Sequence, residues 1–325
     1  MTKNFKTASF FILLRLKIVI LKLYIAFQNI LLFLARRIMF KTDTKAEPRT
    51  ILVYRTARLG DFIVAVPALA VLRKRFPSAR IVLLTTSSTM QNMQATTATY
   101  TDNSLSLPWL SFVVPSLIDQ AVVLSMQNWR EGLDQARLCV RDLRPDMTFI
   151  LPFSGEDGVN IAKKMLFLRL AGVRGPLYGW HFHSTLRFMR EVQYQAGKFQ
   201  HQVWGPLRAV MECSLIPAVE EKDIGFPLLI DTAAEIWVQE IWANKCWHGK
   251  KVLAIFPGGT FPHKRWPVEK YSELCQMLQV RYDLRFVLIG AETDRDVCKK
   301  LYAALGEKNC LDMTGQTSVM ELAAM

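Results

Sequence analysis

Hydrophobic positions along this chain switch repeatedly between short continuous runs and helical spacing, and each switch marks an element. "TILVYR" (50–55) reads as a buried strand, "DFIVAVPALAVLRKRF" (61–76) as a helix and "ARIVLLTT" (79–86) as the next strand. "AVVLSM" is a third strand, and "NWREGLDQARLCVRDL" is an amphipathic helix that Arg144-Pro145 ends. "MTFILPF" is a strand, and "GVNIAKKMLFLRLAG" a helix with Gly172 as its C-terminal cap. After a less regular stretch (180–225), rich in aromatic, His and Arg residues, the alternation resumes. A helix over 231–246 leads into the strand and Gly turn "KKVLAIFPGG", the helix "PVEKYSELCQMLQVRYD", the strand "LRFVLIGA" and the helix "ETDRDVCKKLYAAL". "CLDMTG" is a short strand and turn, and "SVMELAAM" opens another helix. This order predicts an α/β fold with parallel strands and crossover helices, in two successive Rossmann-like units facing a cleft.

The first forty residues have neither rhythm. They are mostly apolar, but Arg15, Lys22, Asn29 and Arg36 recur every seven residues and so share one stripe of a helix. The longest charge-free run, Leu23 to Ala35, is thirteen residues. That is roughly 20 Å of helix, against a hydrocarbon core about 30 Å thick. An in-plane interfacial helix with its basic residues at the headgroups fits these numbers. A span from Ile18 to Ala35 with Lys22 snorkelling is the alternative. Arg36, Arg37 and Lys41 favour a cytoplasmic position for the chain beyond residue 41. The expected organisation is an amphipathic membrane-associated helix (1–41), separable from the fold, then a linker (42–49) and two Rossmann-like domains (50–230 and 231–325).

Composition narrows the chemistry. Six scattered cysteines with no C-x-x-C pair indicate reduced thiols and no metal site. The net charge of +13 calls for an anionic partner, and no nucleic-acid motif accompanies it. An anionic membrane surface and a nucleotide-type substrate remain. The fingerprints G-x-G-x-x-G and G-x-x-x-x-G-K-[ST] are both missing after the strands, which argues against a nicotinamide dehydrogenase and a P-loop ATPase.

Two turns are candidates for chemistry. Gly60 and Asp61 fall where the first strand meets its helix; Asp61 there either caps the helix or acts as a base. "FPGGTFPHKRWP" places Gly258, Gly259, Thr260 and Lys264 between a strand and a helix whose first turn suits Pro267. Glycines let backbone N–H groups approach phosphate oxygens, and Lys264 adds a point charge.

With these residues in view, "ILVYRTARLGDFIVAVPALAVLRKRFPSARIVLLT" resembles the opening of the family 9 glycosyltransferases, the heptosyltransferases of the lipopolysaccharide inner core. In that family a strand, an R-x-x-x-x-G-D turn and an "(L/V)PAL" helix followed by "FP.A.I" come in this order. "IFPGGTFPHKRWPVEKYSELCQML" resembles its second hallmark, and "LIGAETDRDV" and "LDMTGQTSVMELAAM" its later segments. The resemblance runs from about residue 50 to 325, strongest at three segments. It implies a GT-B-type fold and an inverting, metal-independent transfer of a sugar, heptose, from a nucleotide-sugar. ADP-heptose is then the substrate, with no cofactor, and a lipid-linked saccharide of the lipopolysaccharide core is the acceptor. It maps the catalytic base onto Asp61, with Arg58 and Gly60 as acceptor-side loop candidates. The donor-phosphate residues map onto Thr260 and Lys264, with backbone N–H groups near Gly258 and Gly259. The ribose-contacting acid maps onto Glu292 or Asp294, spacing leaving both open. The implied location is the cytoplasmic face of the bacterial inner membrane. The family carries a further "(D/N)(S/T)G..H" turn after its "ELAAL" segment, and the sequence stops at Met325 before one. The second domain is therefore expected to be incomplete, a truncated functional enzyme. The alternative is a catalytically inactive truncated relative that serves as a membrane-associated glycolipid-binding protein.

Overall fold

The computed structural model describes residues 2–41, 47–56, 59–86, 98–100, 108–124, 128–152, 156, 158–181, 201–247, 249–259 and 262–325. Side chains of residues 2–18, 21–22, 98–100 and 108–109, Arg15 and Lys22 of the expected stripe among them, are outside that description. Arg58, Thr260 and most of the expected linker, 42–46, also lie outside the described residues. The chain divides into two compact units, Met1–Leu228 and Leu229–Met325.

The first unit is built on six strands: β1 (Thr50–Tyr54), β2 (Arg80–Thr86), β3 (Ala98–Tyr100), β4 (Gln120–Leu124), β5 (Met147–Ile150) and β6 (Leu177–Tyr178). Their order is β3-β4-β2-β1-β5-β6, parallel except for β3 at the edge. β1 sits between β2 and β5, with Leu52 opposite both Val82 and Thr148. Buried on both faces, its residues form the continuous apolar run "ILVY" that the sequence shows. The chain runs outward from β1 to β2 and β4, then returns to β5 on the other side. That reversal makes the carboxyl ends of β1 and β5 the switch point, where open α/β sheets bind ligands.

Helix α1 (Thr2–Met39) precedes the sheet. The single helix expected over 61–76 is two, α2 (Leu59–Ile63) and α3 (Val66–Arg75), separated by a turn at 64–65. Pro67, in the first turn of α3, has no N–H to donate back across the break, and its ring disfavours helical geometry just before it. α4 (Trp129–Leu143) starts where the Asn128 side chain accepts the Arg130 N–H at 3.0 Å. It stops at Arg144, whose φ of 45° turns the chain before Pro145. α5 (Gly158–Leu170) ends at Gly172, with φ of 105°, as the sequence indicates. α6 (Trp204–Met211) comes next, and residues 182–200 of the irregular stretch lie outside the described residues.

The described part of the polar stripe of α1, Asn29 and Arg36, faces the protein, where the expectation placed it at headgroups. Asn29 and Arg36 are half-buried, the Arg36 Nε donates to the Leu177 carbonyl at 3.0 Å, and its guanidinium lies over the Trp180 ring. Leu32 on the same face is buried in the unit's core, as is Phe40 just past the helix. Gln28 reaches into the space that Gly158 leaves by lacking a side chain. The reason is geometric: residues 25, 28, 29, 32 and 36 share one face, and an inward Leu32 carries its polar neighbours with it. Leu23, Phe27, Ile30, Leu31, Leu34 and Ile38 are left exposed on the opposite face. The described half of α1 is thus part of the first unit's packing. Among the described residues no helix is long and apolar enough to cross a membrane.

The second unit has three parallel strands, β7 (Lys251–Ile255), β8 (Leu284–Leu288) and β9 (Cys310–Asp312), in the order β7-β8-β9. α7 (Thr232–Asn244) precedes them, capped by Asp231. α8 (Val268–Arg281) and α9 (Arg295–Leu305) cross between strands, and α10 (Val319–Ala324) closes with a Ser318–Glu321 capping box. Pro267 stands one place earlier than expected, at the N-cap of α8. Its φ of −57° suits the entry, and its ψ of 139° is still extended.

Candidate active site

At the carboxyl end of β1, Asp61 lies two residues inside the short α2 and is exposed. Among the described residues its carboxylate accepts no hydrogen bond, so it caps no described N–H. Gly60 beside it is exposed, and a methyl placed there would meet nothing within 4 Å. Packing does not require the glycine; it leaves open surface next to the carboxylate.

Beneath Asp61 lies Arg55, the first residue past β1 and only 1% exposed. Its Nη1 donates to the Leu151 and Pro152 carbonyls at 3.0 and 2.7 Å, and its Nη2 donates to the backbone carbonyl of Asp61. Burial pulls its pKa down to about 10, against the pull of the Asp61 and Glu156 carboxylates, so it stays cationic at neutral pH. Glu156 and Lys164 form a buried ion pair at 2.6 Å next to it. Burial lowers the Lys164 pKa while Glu156 opposes the shift, and burial together with Glu156 raises the Tyr54 phenol. Sequence reasoning misses Arg55, Glu156 and Lys164. Arg55 is legible as the arginine that opens the R-x-x-x-x-G-D pattern at the end of an apolar strand, but not as a buried residue; Glu156 and Lys164 carry no comparable signal.

In the second unit, three glycine-bearing turns stand at the carboxyl ends of the three strands: Gly258-Gly259 after β7, Gly290 after β8 and Gly315 after β9. Asp294 is buried between the first two. Its Oδ2 accepts the Ala291 N–H at 3.1 Å and its Oδ1 the Gly259 N–H at 3.3 Å. A side chain at Gly258 would overlap the Asp294 carboxylate, and one at Gly290 would approach its Oδ2 to 3.2 Å. Arg265 completes the clasp, with Nε donating to the Gly259 carbonyl at 2.9 Å and Nη2 lying 3.7 Å from Asp294 Oδ1.

This geometry separates two residues that spacing leaves together. Asp294 is a buried clasp; Glu292 is exposed, and the hydrogen bonds of Arg295 hold its carboxyl below the usual range. Gly315, at φ 69°, gives the Glu292 side chain room that any side chain at 315 would occupy. The Gly259 N–H is already taken by Asp294, so it is not open to a phosphate in this conformation. Lys264 is exposed, at the end of a 3-10 turn just before Arg265.

Residues 167–325 match the family model of glycosyltransferase family 9 (heptosyltransferase). That stretch, just under half of the chain, is similar to the glycosyltransferases of this family. Among solved structures, the family 9 glycosyl transferase of Veillonella parvula DSM 2008 is 14% identical with a TM-score of 0.58, over 87% of this chain and 73% of that one. The E. coli ADP-heptose lps heptosyltransferase II is 18% identical with a TM-score of 0.53, over 85% and 75%. E. coli heptosyltransferase WaaC with ADP is 14% identical with a TM-score of 0.51, over 85% and 77%. Among curated proteins, no sequence matches this glycosyltransferase chain. The fold is GT-B-type, and the family-model match begins inside α5. The likeness of 51–85 to the family's opening lies outside that match and is carried in the structures by fold alone.

Proposed function

We propose that this chain is an inverting, metal-independent heptosyltransferase. It moves a heptose from ADP-heptose onto a lipid-linked saccharide of the lipopolysaccharide core, at the cytoplasmic face of the inner membrane. The observation that carries the reading is the Asp61 carboxylate, exposed and without a hydrogen-bond donor among the described residues, at the switch point of a family 9 protein's first sheet. In the transfer, the acceptor hydroxyl gives its proton to Asp61 as its oxygen bonds to the anomeric carbon. The bond from that carbon to the diphosphate oxygen breaks on the opposite face, and its electron pair leaves with the nucleoside diphosphate. An ionised Asp is a weak base, suited to accepting a proton late in the reaction; such transfers contribute about 10²–10⁴-fold.

The charge on the leaving diphosphate falls to Lys264, Thr260 and the backbone near Gly258, and the donor ribose to the exposed Glu292. The ADP in the E. coli WaaC structure supports an adenine nucleotide as the leaving group. The exposed apolar face of α1 supports docking on a lipid surface. The decisive experiment is Asp61→Asn, with donor binding measured by calorimetry and transfer by product analysis. Turnover should fall at least about 10²-fold with donor affinity unchanged. Unchanged turnover per folded molecule would remove Asp61 from the chemistry.

A further inference from the structure

Arg55 occupies a place where an apolar side chain would be the cheaper choice. A nearly fully buried guanidinium costs several kcal/mol of desolvation unless its donors are matched. Its two terminal nitrogens make three hydrogen bonds, to acceptors in the segments after two different strands, while Nε has no partner among the described residues. Leu151 and Pro152 lie just after β5, and Asp61 lies after β1. The main chain beside it is fixed as well: the Arg55 N–H donates to the Leu84 carbonyl of β2, and the Leu151 N–H to the Tyr54 carbonyl, both at 3.0 Å. The guanidinium therefore spans the switch point from a rigid base. Its bond to Asp61 is to the peptide carbonyl, leaving the carboxylate exposed. A planar fork can hold acceptors on two sides at once, which an ammonium at the end of a flexible stem does poorly.

We propose that Arg55 is the positioning residue for Asp61, its buried guanidinium fixing the backbone from which the base projects and tying that backbone to the loop after β5. This rests on the reading of Asp61 as the base. Among the described residues the charged or titratable groups around the tie are Asp61, Glu156, Lys164 and Tyr54. Holding the carbonyl orients the carboxylate without bonding to it, so its lone pairs stay open to an acceptor hydroxyl.

The test uses Arg55→Lys and Arg55→Met in the full chain, with two readouts. Amide hydrogen exchange over residues 59–65 should speed up at least about tenfold in both variants, with β2 and β4 unchanged. Turnover should fall about 10- to 100-fold in both, with the donor KM within about twofold, as expected when a base loses its alignment. Native exchange over 59–65 in either variant overturns the tie, and native turnover with altered exchange overturns its role in positioning. Loss of the whole fold in both variants also overturns it, since Arg55 would then be a core determinant. If the wild-type chain transfers nothing from any nucleotide-sugar, the proposed function falls, while exchange still decides the tie.

Discussion

The carboxyl ends of the two sheets are held by opposite charges. In the first unit a buried cation, Arg55, gathers three backbone carbonyls. In the second a buried anion, Asp294, gathers two backbone N–H groups, with Arg265 beside it. Each charge is matched by main-chain dipoles of the opposite sign, the condition under which a buried ion is tolerated. The consequences for the surface differ. Where carbonyls turn inward to a cation, the loop leaves a carboxylate outside, suited to accepting a proton. Where N–H groups turn inward to an anion, the turn is shaped by glycines. Its outer face then carries Lys264 and Glu292, suited to a phosphate and a hydroxyl.

The largest expected effect separates the two units through α1, which packs within the first. Deleting residues 1–41 removes Leu32 and Phe40 from that unit's core. Burying such side chains is worth about 1.5–3 kcal/mol each, and whole domains are stable by only about 5–15 kcal/mol. Calorimetry should show the first unit's transition lowered or lost, with the second unit's transition unmoved. A truncated chain with an unchanged first transition would return α1 to the status of a separable anchor. Serine at Leu23, Phe27 and Ile30 gives the complementary case, releasing the protein from anionic vesicles without moving either transition. A shifted transition there would mean that these side chains are packed in the fold.

Next comes the anion. Asp294→Ala leaves the Gly259 and Ala291 N–H groups without their acceptor and Arg265 without its carboxylate. A loss of about 2–4 kcal/mol in the second unit is expected from hydrogen bonds to a charged group. Donor affinity should fall with it, because the glycine turns lose their shape. Asp294→Asn keeps one acceptor and should recover part of both. Donor binding that survives Asp294→Ala intact would detach the clasp from the donor site.

The two ends are unequally legible in the sequence. The pair of glycines after β7 and the Gly60-Asp61 pair after β1 stand out by residue type at strand ends, and the α/β alternation is plain from hydrophobic period. What Asp294 does is hidden, because a buried and an exposed carboxylate two residues apart read alike until the 3-10 turn Glu292–Asp294 points one inward. Arg55 is hidden for a related reason: it completes the R-x-x-x-x-G-D pattern, but spacing says nothing of an arginine buried beneath the turn rather than exposed upon it. The inverted stripe of α1 misleads for a third reason. Period alone assigns a shared face, and which face turns inward is decided by the packing of Leu32 and Phe40.

The smallest effect comes from comparing two glycines, one at each end. At Gly258 a methyl would overlap the Asp294 carboxylate, which is held by two N–H groups and cannot retreat without releasing them. Gly258→Ala should therefore cost about 1–3 kcal/mol, as overpacking does in a filled site, and should weaken donor binding. At Gly60 the same methyl meets nothing within 4 Å, and the residue is already helical. Gly60→Ala should leave stability unchanged or raise it by up to about 1 kcal/mol, since alanine loses less conformational freedom than glycine in a helix. Any loss of turnover in Gly60→Ala then reports on a substrate that needs the space beside Asp61. Equal stability losses at the two positions would erase the distinction between a turn shaped by its clasp and a surface kept open for a ligand.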